Sequence, residues 1–236
     1  MEKIYEGKAK VVFRTEDPEV YFVHFKDDAT AFDGTKRGTI GGKGYCNAHI
    51  SALAFQYLEQ AGIPTHLIEL KPPTDMLVRK VKILPVEVVM RNIAAGSISK
   101  RLGIPEGTEL PLAVLEHFLK CDELHDPLMN EDEIQAMRLA TLEQMAEVNS
   151  QARRINGLLK EFFAKADLIL VDFKLEFGLD SSGRVLLADE ISPDTCRLWD
   201  RETRTKLDKD RFRRDLGGVE EAYQEVLRRL RQAHVA

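Results

Sequence analysis

The sequence predicts a mixed chain of hairpin-linked antiparallel strands and flanking amphipathic helices, folded as one domain or two closely joined lobes. Three observations carry this. Ile169, Val171, Phe173, Leu175 and Phe177 alternate with Asp172, Lys174 and Glu176, and the run leads into the hairpin signal Ser182-Gly183. Further short strand-like runs fill Lys3 to Phe25 and His66 to Met90. Apolar residues recur at helical spacing over Ile50 to Ala61, beyond Asn130, and from Val219 to Leu230. At 236 residues the chain is long enough to bury a large core.

In chain order, Lys3 to Arg14 predicts two short strands about Glu6-Gly7, and Val20 to Phe25 a third. Lys8 and Lys10 stand two apart, which on a strand turns both to one side. Beside Gly7, where backbone can be approached closely, the pair suits a polyphosphate; solvated hairpin lysines account for them equally well. Residues 26–44 are turn-rich and predict a charged loop. Gly42-Lys43 does not complete a P-loop, because Arg37 replaces the first glycine and Gly44 the Ser or Thr that meets Mg²⁺. Ile50, Leu53, Ala54, Tyr57, Leu58 and Ala61 mark a core helix stopped by Gly62 and Pro64.

His66 to Leu70, Met76 to Val81 and Val86 to Met90 predict strands, with the joint between lobes at Ile83 to Pro85 and domains of 1–84 and 85–236. The third strand carries Glu87 and Arg91, then Ala94-Ala95-Gly96 leads to Ser97 as N-cap of a short helix. A helix start offers free N–H groups to an anion, and Arg91 adds a bidentate grip on phosphate or carboxylate. Ser97 capping an ordinary helix is the plain alternative. Leu115 to Lys120 fits strand or helix, and the His125-Asp126-Pro127 turn aims Asp126 or Lys120 at a cleft. Asn130 and Glu133 predict a capping box opening one long helix with Leu142, Met145, Ile155, Leu158, Leu159 and Phe162 in the core.

The central hairpin is the most informative stretch. A two-residue loop at Ser182-Gly183 pairs Ser181 with Arg184 and sets Glu176 opposite Asp189, their Cβ atoms roughly 5 Å apart. Opposed like charges destabilise a ladder unless something lies between them, and Mg²⁺ is often held by two carboxylates plus substrate phosphates. Two solvated acids remain the alternative. Val185, Leu187 and Ile191 are expected on the same face, giving a nucleotide an aliphatic bed beside an acidic end. Beyond it come Asp194, Arg197 and Trp199, the basic cluster Arg211, Arg213 and Arg214, and a terminal amphipathic helix.

A net charge of -5 and a pI near 5.8 give no basic footprint, so nucleic acid is not an expected partner. No apolar run approaches the roughly 20 residues of a membrane span, so neither a membrane nor, at the acidic N-terminus, a signal peptide is expected. Cys46, Cys121 and Cys196 are scattered and the histidines lack ligand spacing, which predicts a reducing cytoplasm and no structural zinc.

YEGKAK, PVEVVMRNIAAGSISKRLG, HDP, LVDFKLEFG, and DEISPDTCRLWD followed by DKDRFR together resemble the SAICAR synthetase family, from about Tyr5 to Tyr223 and in family order. Ile93, Thr195 and Cys196 depart from the pattern without touching its charged positions. The resemblance implies an α+β, two-lobed fold related to ATP-grasp enzymes, with the N-terminal lobe covering ATP. It implies condensation of carboxyaminoimidazole ribonucleotide (CAIR) with L-aspartate, driven by ATP cleavage, and leaves a homodimer open. By matching motif, Lys8, Ala9 and Lys10 would contact ATP, while Glu176 and Asp189 would hold Mg²⁺. Glu87, Arg91, Ser97, Arg197 and Arg213 would grip CAIR, with Asp172 and Lys174 reaching the substrates from the strand below, and Lys120 and Asp126 would line the site. A small-molecule kinase and a non-catalytic nucleotide-binding module are the alternatives: ADP formation that needs an amine excludes the first, and any turnover excludes the second.

Overall fold

The computed structural model describes residues 1–31 and 34–234; Phe32 and Asp33, inside the predicted charged loop, lie outside the described residues. Strands β1 (Lys3–Glu6), β2 (Lys10–Arg14) and β3 (Val20–Phe25) form an antiparallel run as expected. The predicted loop over 26–44 is largely structured. β4 (Asp28–Ala31) and β5 (Lys36–Thr39) pair as a separate ribbon, and α1 (Lys43–Gln60) begins within the stretch. Asp27 explains the early start: its carboxylate accepts from the Gly42 and Gly44 N–H groups at 3.1 and 2.8 Å. Orphan amides at a helix start are thus satisfied by a residue well outside it, which N-cap spacing does not reveal.

β6 (Leu67–Lys71) and β7 (Asp75–Arg79) complete a five-stranded sheet of order β1-β2-β3-β7-β6. The chain passes to the second sheet at Lys80-Val81, and β8 (Lys82–Ile93) then runs unbroken through Ile83 to Pro85. After α2 (Ser97–Leu102), β9 (Glu109–Leu119) pairs with β8, which settles the ambiguous run from Leu115 as strand and leaves Lys120 just past its end. A 3-10 turn (Asp122–Leu124) and β10 (Leu128–Met129) precede α3 (Glu131–Ala136) and α4 (Leu142–Ala164). The Asn130–Glu133 capping box is present but opens only the six-residue α3. Thr141 and Gln144 form a second box that starts the long helix, so Leu142 sits in its first turn and is exposed rather than core.

β11 (Leu168–Leu179), β12 (Val185–Ala188) and β13 (Cys196–Asp200) finish a six-stranded sheet. Its path is β10-β9-β8-β11-β12, and β13 pairs with the N-terminal half of β11 while β12 pairs with the C-terminal half. α5 (Asp210–Arg213) and α6 (Val219–His234) close the chain, α6 packing on α1. One core joins α1, α4 and α6 to the inner faces of both sheets. The architecture is α+β with antiparallel sheets, as expected.

Two details of β11 differ from the alternation. A bulge between Leu170 and Asp172 lets Leu168 and Leu170 enter the main core before it, and Phe173, Leu175 and Phe177 after it. Val171 instead joins a satellite cluster with Ile93, Ala95 and Trp199. The hairpin register also moves by one. Asp180 N–H donates to the Arg184 carbonyl, Gly183 N–H donates to the Asp180 carbonyl, and Gly183 has φ 84°. The Asp180 carboxylate also accepts from the Ser182 and Arg184 amides, both at 2.9 Å. The loop therefore has three residues and a left-handed glycine rather than two residues. Glu176 consequently faces Ala188, not Asp189.

Candidate active site

The cleft between the two sheets has a volume of about 600 Å³. One wall comes from the first sheet and supplies Val12, Val23 and Val78; Val81, Ile83 and Val89 continue the apolar lining. Val185, Leu187 and Ile191, predicted for this role, are buried in the main core instead. The one-residue change of register is the reason, since it turns a whole strand over.

The acidic end is built differently from the predicted pair. Directly across from Glu176 stands Glu87 on β8. The Lys174 ammonium lies between them, donating to Glu87 at 2.9 Å and also to Glu176. Burial raises the Glu87 carboxyl above its ordinary value, against the pull of Lys174. Lys120 reaches Glu176 from the end of β9 at 2.7 Å. Asp189 still arrives here, because its left-handed backbone (φ 60°) takes the chain out of the ladder just past β12. It pairs with Lys10 and stands 3.8 Å from Lys174, so the two acids share a ring of lysines. Burial works against charge at both Lys10 and Asp189. Their attraction outweighs it, holding the ammonium above its usual range and the carboxyl well below. Glu190, which the sequence did not single out, gives Lys10 a second partner at 3.0 Å.

At the other end, arginines and acids alternate. Arg91, almost fully buried, donates to Glu116 at 2.6 Å, Asp172 at 2.9 Å and the Ser97 hydroxyl at 2.8 Å. Arg197 donates to Asp172 at 2.8 Å and to Asp210 at 3.0 Å; Arg213 reaches the other Asp210 oxygen at 2.7 Å. Ser97 is the first helical residue and not the N-cap; Gly96 holds that position without a side-chain cap. Gly96 has φ 62°, and a Cβ there would lie 2.5–3.0 Å from the Arg197 guanidinium. The glycine thus leaves the space Arg197 occupies.

Of the other predicted residues, Lys8 is half-exposed and spans the mouth to Asp122 at 2.7 Å, while the Ala9 carbonyl accepts from Lys26 N–H at 2.8 Å. Asp126 lines the cleft, but one of its oxygens closes its own turn by accepting from Cys121 N–H at 2.8 Å. Sequence reasoning missed Lys43 and Lys209 and gave Asp194 no role. Lys43 is fully buried and bonds Asp194 at 3.0 Å, across 151 positions of chain.

Among the described residues, no group of three or more metal-ligating side chains forms a cage. Two carboxylates on a cleft floor, ringed by lysines, fit an ion that takes its remaining ligands from a bound phosphate. The cleft therefore pairs a phosphate- and metal-competent end with an arginine-rich anion end.

A family model described as SAICAR synthetase matches residues 3–230. A phosphoribosylaminoimidazole-succinocarboxamide synthase of Coprothermobacter proteolyticus is 56% identical over 230 residues, covering 98% of each chain. A solved synthase of that name from Ehrlichia chaffeensis superposes with a TM-score of 0.95 at 46% identity, covering 98% of this chain and 99% of that one. A SAICAR synthetase solved in complex with ADP gives a TM-score of 0.93 at 48% identity, covering 96% of each.

Proposed function

The chain belongs to the SAICAR synthetase family, the ATP-dependent ligases of purine biosynthesis, and on that premise we propose how its cleft joins CAIR to L-aspartate. The observation that carries the reading is one continuous cleft with a lysine-and-carboxylate floor at one end and an arginine network at the other. ATP lies with its base on the apolar lining from Val12 to Val89 and its phosphates toward Lys8, the Ala9 backbone and Lys10. Glu176 and Asp189 hold Mg²⁺, which when bound neutralises charge on the transferring phosphoryl group. CAIR lies toward Arg91, Ser97, Arg197 and Arg213, with Glu87, Asp172 and Lys174 beneath. Lys120 neutralises developing phosphoryl charge from the side, and Asp126 fixes the turn that presents it. We place the division of labour at the sheet crossing, Lys80-Val81, a few residues ahead of the expected boundary between 1–84 and 85–236, with the part before it covering ATP and the part after it holding metal and substrate. Three free cysteines support a cytoplasmic setting.

A carboxylate resists attack by an amine. Its oxygen attacks the γ-phosphorus first, and the acyl phosphate so formed offers a good leaving group. CAIR labelled with ¹⁸O in the carboxylate is expected to deliver one labelled oxygen per turnover into inorganic phosphate. Amide formation should require ATP, Mg²⁺ and L-aspartate together. Unlabelled phosphate beside genuine amide product would rule out the acyl-phosphate route, and phosphate retained on the organic product would restore the kinase reading.

Gly96→Ala tests the arginine end. Pushing Arg197 aside should weaken CAIR binding roughly 10- to 100-fold, since misplacing a positioning group by about 1 Å is that costly. The KM for ATP should stay within about twofold. Equal losses for both ligands, measured by titration, would show that Gly96 supports the cleft generally.

A further inference from the structure

Lys209 stands at the start of α5 and lines the cleft beside Arg213 and Asp194, with its side chain 13% exposed. Its carboxylate neighbour is already engaged. One Asp194 oxygen accepts from Lys43 at 3.0 Å and the other from the Tyr223 hydroxyl at 2.6 Å. Lys209 is left at 3.6 Å from Asp194, beyond hydrogen-bond reach. This contrasts with Lys10, Lys120 and Lys174, each of which donates directly to an acid. Lys43 and Arg213 face it as further cations, and Glu190 and Asp194 as acids. Burial and those cations together lower its pKa despite Asp194.

The acylation of an amine needs such a group. L-aspartate presents an ammonium at neutral pH, and it must lose a proton before nitrogen can attack. We propose that Lys209 is the catalytic base of the second half-reaction, taking from the L-aspartate ammonium the proton that must leave before nitrogen can attack. Nitrogen forms its bond to the activated carbonyl carbon, the carbon–oxygen bond to phosphate breaks, and phosphate leaves with that electron pair. The first ammonium proton passes to the neutral Lys209 amine before attack, and the second, shed by nitrogen as the amide forms, leaves on the departing phosphate. The resulting ammonium lies beside the Asp194 carboxylate, whose charge favours it, and later releases its proton to solvent. The inference rests on the acyl-phosphate reading above.

Hydroxylamine separates the two, because it is largely neutral at pH 7 and attacks acyl phosphates without a base. With wild-type enzyme, ATP, Mg²⁺ and CAIR, hydroxylamine should support ADP release in the absence of L-aspartate; none would strike at the acyl phosphate itself. Lys209→Met and Lys209→Arg should keep that hydroxylamine rate within about threefold, which also shows that they fold. Both should lose at least 100-fold in kcat with saturating L-aspartate, in line with general-base contributions of roughly 10²–10⁴. Wild-type kcat should level off with rising pH, while the residual kcat of both variants should keep climbing as free amine accumulates. Any of three results overturns the proposal: aspartate-dependent kcat within threefold of wild type, a raised KM for L-aspartate with kcat preserved, or parallel loss of both nucleophiles.

Discussion

Glu176→Gln and Asp189→Asn are each expected to cut turnover by about 10²–10³-fold, the usual consequence of removing one electrostatic partner of a transferring group. Each substitution keeps the side chain's shape and removes its charge. On the proposed assignment a bound metal would lose half of its protein ligation, and Lys174, Lys120 and Lys10 lose the acid that positions them. Had the two acids been opposed in a ladder, removing one would relieve repulsion and leave stability unchanged or raised. The structure reverses that sign, because each acid is instead the counterion of buried lysines. Stability should fall by about 1–3 kcal/mol, the cost of weakening a charged hydrogen bond in a buried site. For a chain of this size each kcal/mol moves Tm by roughly 2–4 °C. Steady-state assays and thermal melts with and without Mg²⁺ and ADP check both statements. Ligand-induced stabilisation should be lost along with activity, because it reports binding to the folded state alone. A folded double variant with near-normal turnover would sink the metal assignment.

The sequence disclosed the elements of this site better than their registration. Period-two patterning located β11, and the charged members Asp172, Lys174 and Glu176 do line the cleft. The partner of Glu176 was misread because a two-residue and a three-residue loop differ only in whether Asp180 or Ser181 closes the turn. Hydrogen bonds from Ser182 and Arg184 to the Asp180 carboxylate decide that, and pattern counting does not see them. The bulge past Leu170 had no sequence marker at all, since Val171 continues the alternation and is buried, but in another cluster. Residues whose role comes from distant chain were the least legible. Lys43 and Asp194 meet across 151 positions and Tyr223 joins them from the last helix, so none carries a local signature. Arg91 and Ser97 were found together because strand and helix start are close in sequence, although the serine serves Arg91 rather than a helix cap.

Arg91→Ala should produce the largest loss at the other end of the cleft, and in two measurable quantities. With its guanidinium gone, Glu116 and Asp172 remain at 7% and 3% exposure with their shared cation missing. Asp172 keeps Arg197, and Glu116 keeps the more exposed Arg101. Breaking a buried pair from one side costs about 3–5 kcal/mol, and the surviving arginines place this case toward the lower end. On the proposed assignment binding adds a second effect, because a charged hydrogen bond from Arg91 to the phosphate of CAIR would contribute about 1.5–3 kcal/mol, or roughly ten- to a hundredfold in affinity. Ser97→Ala should cost less on both counts, since it removes only the neutral acceptor of one Arg91 N–H. Denaturant unfolding gives the first quantity, and titration with CAIR or a non-hydrolysable ATP analogue the second. Arg91→Lys separates them: it restores a positive charge between the acids but not the planar fork that reaches three partners at once. It should therefore recover part of the stability while CAIR affinity stays low and ATP-analogue affinity stays near wild type. Should Arg91→Ala impair only the nucleotide, the two ends of the cleft are assigned the wrong way round; the network from Glu116 to Asp210 would then be a brace for the sheet and not the seat of the ribonucleotide.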